Sequence, residues 1–541
     1  MRPGALYRYR LDSLNDHRFP DPASRFQPRG VHGPSQLIDP SAFRWTDESW
    51  PAPALDRLVI YELHTGTFTP AGTFDGIAER LPYLARLGVT AIELMPVADF
   101  PGRYNWGYDG VALFAPARSY GRPDSLRGLV NAAHRHGLAV IMDVVYNHFG
   151  PDGAYAIAFS PYYLSDRHQS PWGAGVNLDG PHSAQVRRFF IENALDWVLD
   201  YHVDGLRLDA IHAIVDHSSP HFLAELTSTV RAAAGRDLFI VAEDHRNPPE
   251  LTEPIESGGY GLDAVWADEF HHQARVHTAH DRDGYYARFS GEIGGLVETL
   301  RQAPPTRSVI CIQNHDQVGN RADGARLHHE IDLAGYRALT VLLLMAPQTP
   351  LLFMGQEWAA TTPFQYFTDH HEVLGRLVSA GRRAEFAAFE RFTGSVPDPQ
   401  AADTFHRSVL RWDEADTPPH AGTRRLYERL LQLRASHPAM RAGEYGSCEV
   451  RVLDDHTLSL ERAVPGEGMA LLAIVRLSGE GQTRVPVEPG FTRVLFTTED
   501  AEFLDPAASY GIRIPGIEGD PPHARFDRPG ALVLSCGSDR R

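Results

Sequence analysis

Three acidic residues stand where short apolar runs of the sequence break into polar residues: Asp209, Glu243 and Asp316. In a barrel of parallel strands such breaks lie at the carboxyl ends of the strands, where active sites are built. Three carboxyl groups from three strand ends would therefore converge on one pocket. Two carboxyl groups roughly 5 to 5.5 Å apart can cleave a glycosidic bond with retention, one as the nucleophile and one as the general acid and base.

The neighbours of the first two acids fit those two tasks. Arg207 lies two residues before Asp209, so in a strand their side chains share a face and the guanidinium can orient the carboxylate. Glu243 follows an apolar run, Ile240 to Ala242, which predicts a raised pKa and a proton held until it is donated. The pair predicts a nucleophile and an acid.

The third acid, Asp316, lies between His315 and Gln317, side chains that can bind sugar hydroxyls while the aspartate stabilises positive charge on the ring. Each acid also has a structural alternative. An aspartate at a strand end often caps the next helix, and Arg207 with Asp209 can form a structural ion pair. Coincidence of all three patterns in one frame is much less frequent than any one of them.

The elements that must position these acids are short β-branched runs with helical patterns between them, among them an amphipathic helix predicted over 74–87 and ended by Gly88. Eight parallel strands covered on both faces indicate a closed (β/α)8 TIM barrel. An open doubly wound sheet is the alternative, but no glycine-rich phosphate loop follows the first strand. The strand candidates are 58–63, 90–94, 139–145, 205–209, 238–243, 264–266, 308–312 and 350–354.

The flanks of the barrel have a different composition. After about residue 436 the pattern alternates and predicts a C-terminal antiparallel β-sandwich domain over 437–541. Residues 1–53 contain one strand-like run, 5–11, and are interpreted as a short N-terminal β remnant and linker. The barrel is assigned to 54–436, with a short insertion after its third strand at about 149–182.

Composition excludes several classes of protein. The net charge of -18 and the lack of a Lys/Arg run argue against a nucleic-acid partner. No apolar stretch predicts a membrane anchor or an export signal. The 3 cysteines are too scattered for a disulfide framework or a metal site, which favours a reducing cytoplasm.

Four segments resemble the four sequence regions of the α-amylase clan of glycoside hydrolases, in order and at suitable intervals: 143–148, 205–210, 241–243 and 314–316. The resemblance spans roughly 51–433. It implies α-1,4-glucan chemistry with Asp209 as nucleophile, Glu243 as general acid and base, and Asp316 as transition-state stabiliser. It also implies that the attacked glucose is bound by Arg207, His148, His315 and Tyr108.

Further segments, including 266–272, 315–320 and 355–370, are similar to the malto-oligosyltrehalose trehalohydrolases. Those enzymes cleave the α-1,4 bond next to a terminal trehalose and release trehalose and a malto-oligosaccharide. The resemblance implies a malto-oligosaccharide substrate with a trehalose end and a malto-oligosyltrehalose synthase as pathway partner. It adds His212, Asp268, Phe270, His271, Gln317 and Asn320 as substrate contacts.

Two rival functions share the catalytic residues: a glucan branching enzyme and a plain α-amylase. A non-catalytic glucan-binding module is the third alternative, but such a module normally lacks at least one of the three acids.

No cofactor and no required metal are predicted. Some clan members bind calcium at the position of Asn147, but 149–182 offers no further acidic ligands that we can identify, and the pair His271 and His272 has no third zinc ligand. Trehalohydrolases usually carry an N-terminal β-sandwich, of which 5–40 resembles only the last strand and the connection onward. If the chain is complete, we expect an exposed strand edge that weakens stability or promotes self-association, testable by thermal unfolding and oligomer size against an N-terminally extended chain.

Overall fold

The computed structural model describes residues 2–11, 17–304, 306–387, 396–441, 447–486, 491–504, 516–519 and 522–536. Eight parallel strands form a closed barrel in which each strand pairs with the next along the chain and the eighth pairs with the first. The eight predicted strands and the barrel are confirmed. The strands are β1 (Ile60–Leu63), β2 (Ala91–Leu94), β3 (Ala139–Val144), β4 (Gly205–Leu208), β5 (Phe239–Ala242), β6 (Ala264–Trp266), β7 (Ser308–Cys311) and β8 (Thr349–Phe353).

Every residue of these strands is buried. This is why the sequence shows near-continuous apolar runs instead of alternation, since one face of each strand fills the barrel and the other meets the surrounding helices. The few polar residues inside the barrel are therefore costly unless they are paired or used.

Helices follow the strands and cover the barrel. The helix predicted over 74–87 is in fact two, Phe74–Ala78 and Leu81–Leu87, because Pro82 falls in the first turn of the second and begins a new helix there. No helix in the described part of the chain is long and apolar enough to cross a membrane. The helices of ten or more residues in the described part of the chain are Pro123–Arg135, Ser183–Leu199, Phe222–Ala234, Glu269–Ala279, Ile293–Gln302, Leu333–Met345, Glu372–Ala387 and His420–Ser436.

The segment after β3 contains a short helix, Ala156–Phe159, and an antiparallel hairpin made of Leu164–Ser170 and Gly173–Val176. We call 164–176 the hairpin insertion. It connects to the helix Ser183–Leu199, which leads into β4.

The C-terminal region forms an antiparallel sheet of five strands, as the alternating pattern predicted, and a second sheet of three. The three-stranded sheet was not expected, because Gly481–Arg484, Gly516–Glu518 and His523–Phe526 are short and mostly polar. The five strands, in spatial order, are Ser447–Asp454, Thr457–Val464, Met469–Arg476, Gly530–Cys536 and Phe491–Thr497.

The N-terminal segment forms two small strand pairs. The predicted strand is divided into Leu6–Tyr7, which pairs with Ser35–Gln36, and Tyr9–Arg10, which pairs with Arg18–Phe19. This segment therefore supplies antiparallel partners for both of its strands, and the expected effect on stability or self-association stays a prediction.

Candidate active site

The side chain of Asp209 directly follows β4 and is held from two sides. Its Oδ1 accepts a hydrogen bond from Nη1 of Arg207 at 2.8 Å, and its Oδ2 accepts one from the amide of Asn147 at 2.8 Å. These partners, and not a helix N-terminus, bind the carboxylate, so Asp209 is no helix cap. It is 7% exposed, which leaves a small accessible surface above a fixed carboxylate.

Glu243 directly follows β5 and shares the same guanidinium. Its Oε2 lies 2.8 Å from Nη2 of Arg207 and accepts a hydrogen bond from the backbone amide of Ala210 at 2.8 Å. Burial, together with the charges of Asp209 and Asp316, raises the pKa of Glu243 to about 8 against the opposing effect of Arg207. The direction agrees with the prediction from the apolar run before Glu243. At neutral pH this carboxyl group holds a proton.

Asp316 lies in the first turn of the short helix His315–Gly319 after β7, and it is the most exposed of the three acids. Its Oδ1 accepts a hydrogen bond from the amide of Asn320 at 3.0 Å and lies 3.5 Å from Nε2 of His315. The cap of this helix is Asn314, whose side chain accepts from the backbone of Gln317. The Asp316 carboxylate is thus free of a capping role.

His315 is charged by its surroundings. Burial alone would lower its pKa, but the charges of Glu62 and Asp316 raise it to about 9. Its Nδ1 lies 2.5 Å from Oε1 of Glu62 and its Nε2 lies 2.7 Å from the hydroxyl of Tyr108. An imidazolium can donate to both, so Glu62 in β1 fixes the ring that stands beside Asp316.

Tyr108 and His148 also lie close to these charged side chains. The Tyr108 hydroxyl donates to Oδ2 of Asp143 at 2.8 Å, and the Tyr108 ring stacks on His315 at 5.2 Å between centroids. Nε2 of His148 lies 3.1 Å from the carbonyl oxygen of Tyr108. Both residues therefore lie near the acidic groups, and their contact with the sugar stays a prediction.

Of the remaining predicted contacts, Asn320, Asp268 and His212 lie beside the acids. Asn320 contacts Asp316 directly, and the charge of Asp316 acts on Asp268, whose pKa burial raises to about 7. His212, three residues after Asp209, packs edge-on against His245 at 5.0 Å between centroids, and burial lowers its pKa. Gln317 is buried and bonded to His272.

Two other residues predicted as substrate contacts, Phe270 and His271, are enclosed by protein atoms in the structure. Phe270 is fully buried in the hydrophobic core, and His271 is 1% exposed with Nδ1 2.8 Å from the carbonyl oxygen of Ile312. Both lie in the helix Glu269–Ala279, whose inner face packs on the barrel. Helical periodicity turns these two side chains away from solvent, and their contact with substrate stays a prediction.

Sequence reasoning missed several groups that shape the site. Trp172, at the turn of the hairpin insertion, stacks on His148 at 4.6 Å between centroids and is 51% exposed. Trp266 lies beneath the acids and under the guanidinium of Arg207, whose Cζ is 4.4 Å from the centroid of the Trp266 ring. Only an exposed tryptophan in a polar turn signals the first, and nothing local signals the second.

Asn147 is bonded to two neighbouring side chains. Its amide donates to Asp209 and its Oδ1 contacts Nδ1 of His148. The prediction that the chemistry needs no metal stays a prediction.

The fold and the acids define a class, and comparison with known proteins supports it. Residues 37–169 match the family model "Alpha amylase, catalytic domain". A crystal structure from Salmonella typhimurium, provisionally assigned as an alpha amylase, superposes with a TM-score of 0.86 at 34% identity, covering 99% of this chain and 91% of the other. The chain is a glycoside hydrolase with a (β/α)8 barrel.

Relatives with higher sequence identity specify the family within this class. The malto-oligosyltrehalose trehalohydrolase of Deinococcus radiodurans is 43% identical over 95% of this chain and 88% of its own length. The enzyme of the same name from Saccharolobus solfataricus is 42% identical over 81% and 78%. A branching enzyme of Xanthomonas axonopodis is 28% identical, covering 91% of this chain and 66% of its own. The chain belongs to the malto-oligosyltrehalose trehalohydrolase family.

Proposed function

We propose that this enzyme cleaves the α-1,4-glucosidic bond next to the terminal trehalose of malto-oligosyltrehalose, with retention, releasing trehalose and a malto-oligosaccharide. The observation that carries the chemistry is one guanidinium, that of Arg207, shared by a fixed carboxylate and a carboxyl group with a pKa of about 8. The names of the relatives support the choice of substrate.

In the first step an oxygen of Asp209 attacks the anomeric carbon while the glycosidic bond breaks, and Glu243 donates its proton to the departing oxygen of trehalose. In the second step Glu243, now ionised, takes a proton from water, whose oxygen displaces Asp209 from the sugar. Two groups in one pocket therefore serve both halves of the reaction.

Three further residues assist both steps. Asp316, partly exposed and fixed by Asn320, faces the positive charge of the oxocarbenium-like transition state. Arg207 orients Asp209 from below, and Tyr108 supplies an aromatic wall for the sugar ring.

The substrate is tested by assaying maltotriosyltrehalose and maltopentaose side by side, with Asp209→Asn as the blank. We expect free trehalose to be released far faster than maltopentaose is cut. Equal cleavage of both would show a general α-amylase, and longer or branched products would show a branching transferase that favours a sugar acceptor over water.

A non-catalytic glucan-binding module is tested directly. A fluorinated glucosyl substrate should leave a covalent sugar on Asp209, detectable by mass spectrometry of the digested protein. Full-length substrate bound without any adduct or turnover would favour the binding module.

The physiological setting follows from the substrate. An α-1,1-linked end must be made by an enzyme that rearranges the reducing end of a malto-oligosaccharide, so we infer a malto-oligosyltrehalose synthase as pathway partner in trehalose biosynthesis. Cys311, Cys448 and Cys536 are free thiols, which suits a cytoplasmic location. Fractionation of cells with an antibody against the chain tests that location.

A further inference from the structure

Two histidines and an aspartate from three separate segments meet beside the hairpin insertion. His168 belongs to the strand Leu164–Ser170, Asp179 lies in the turn before the helix Ser183–Leu199, and His217 lies in the loop that follows β4. Nε2 of His168 lies 3.0 and 3.1 Å from the two carboxylate oxygens of Asp179, and Nδ1 of His217 lies 3.0 Å from Oδ2. Sequence spacing alone does not reveal this group, because its members are far apart in the chain.

We propose that His168, Asp179 and His217 bind one divalent transition-metal ion, with zinc preferred, and that this ion ties the hairpin insertion to the barrel. Two imidazole nitrogens and a carboxylate oxygen form a donor set that zinc accepts, with water in the fourth position. Zinc bonds of about 2.0–2.1 Å place tetrahedral ligands about 3.3 Å apart, close to the separations found here. One atom from each residue lies within 4.8 Å of the other two.

The surroundings suit a bound cation. The Asp179 side chain is 5% exposed, whereas that of His217 is 74% exposed, so the carboxylate is anchored while an imidazole can move inward and water can reach the fourth position. The competing cation is Arg167, which donates to Oδ1 of Asp179 at 2.7 Å.

The ion would act on the substrate cleft through the hairpin. Trp172 occupies the turn of that hairpin and stacks on His148, which borders the acids. A link between the hairpin and the loop after β4 would hold the Trp172 ring over His148. We therefore expect zinc to lower KM and leave kcat unchanged, because the ion contacts none of the three catalytic acids.

The test uses the full chain freed of metal by chelation and dialysis. Zinc is titrated by calorimetry in competition with a chelator of known affinity, and Co²⁺ is titrated to give the visible absorption of a tetrahedral site. We expect one site per chain, a higher Tm with zinc, and an affinity that falls roughly tenfold or more in His217→Ala and in Asp179→Asn. His136→Ala, which removes an exposed histidine elsewhere on the barrel, should bind as the unaltered chain does.

A second group of side chains with metal-ligand geometry, His212, Asp244 and His245, lies next to Glu243. Zinc bound there has to be distinguished from zinc at the proposed site. The variant His245→Ala distinguishes the two sites. Zinc bound at the second group would lower kcat, and its binding would persist in His217→Ala. Zinc binding that is unchanged in His217→Ala, His168→Ala and Asp179→Asn would overturn the proposal, as would failure of the unaltered chain to bind zinc. A KM response to zinc that disappears in Trp172→Phe would confirm the link to the cleft, and an identical response in that variant would refute it.

Discussion

Asp204 and Asp209 flank strand β4 at its two ends, and the groups that surround the two carboxylates differ. Asp204 precedes the strand at the amino end of the barrel, where one oxygen accepts from Trp50 at 2.9 Å and Arg236 at 2.8 Å, and the other is contacted by His134 at 2.9 Å and the amide of Val140 at 2.8 Å. Despite burial, the hydrogen bond and charge of His134 lower the pKa of Asp204. Every oxygen of this carboxylate has partners of opposite charge or donor groups.

At the other end of β4 the balance is reversed. Asp209 shares the guanidinium of Arg207 with Asp143 and Glu243, and burial raises the pKa of Asp143 to about 6 and that of Glu243 to about 8. Deeper in the barrel Glu93, without a hydrogen-bond partner, has a pKa raised well above the usual range by burial. Paired charge holds the amino end together, whereas unbalanced charge at the carboxyl end is available for chemistry.

The largest effect that separates the two ends is expected from Asp209→Asn. Loss of the nucleophile should lower kcat by a factor on the order of 10⁴ or more, with little change in the free energy of unfolding. The measurement is steady-state kinetics on maltotriosyltrehalose beside a denaturant titration. A kcat that stays within tenfold of the unaltered enzyme would show that Asp209 does not form the covalent bond.

The proton on Glu243 predicts the pH dependence. The general acid works only while it is protonated, so kcat/KM should fall as pH rises through about 8. Glu243→Gln should lower kcat by roughly 10²–10⁴-fold on the natural substrate and much less on a glycosyl fluoride, whose leaving group needs no proton.

Asp268→Asn serves as the control for this titration, since Asp268 is another carboxyl group beside the cleft whose pKa burial raises, to about 7. The fall above pH 8 should persist in Asp268→Asn and disappear in Glu243→Gln. The reverse pattern would reassign the acid to Asp268.

At the amino end, Asp204→Asn should affect stability and spare catalysis. Removing this buried charge leaves His134 and Arg236 without their partner, and we expect a loss of about 3 kcal/mol in the free energy of unfolding. The exposed neighbour Asp237→Asn should unfold as the unaltered chain does. If Asp204→Asn instead lowered kcat while stability held, the contrast between the two ends of β4 would fail.

The smallest effect is expected from chelation, because we predict that the chemistry at the carboxyl end of the barrel needs no metal. The kcat of the chelated enzyme should equal that of the untreated enzyme, measured at saturating substrate. A loss of kcat that calcium restores would contradict this and would direct attention back to Asn147 as a ligand.

Much of the barrel was readable from local pattern. Strands such as β3 and β8 are buried on both faces, so their apolar runs are visible without any knowledge of their neighbours. The helix over 74–87 was misjudged, because the position of Pro82 relative to a helix start depends on how the chain packs. The polar three-stranded C-terminal sheet was missed for a related reason, since its short strands carry almost no periodic signal.

The sequence by itself determined which residues can do the chemistry, because the acids stand at strand ends and strand direction then sends them to one rim. Tertiary structure decided which side chains are enclosed and which meet: it buried Phe270 and His271 through the turn of one helix, and it brought Trp172 onto His148 through a hairpin. It also decided the protonation of Glu243, since that depends on burial and on charges contributed by other strands. Residue type and strand polarity are local properties, whereas burial, stacking and electrostatic coupling arise only when distant segments meet.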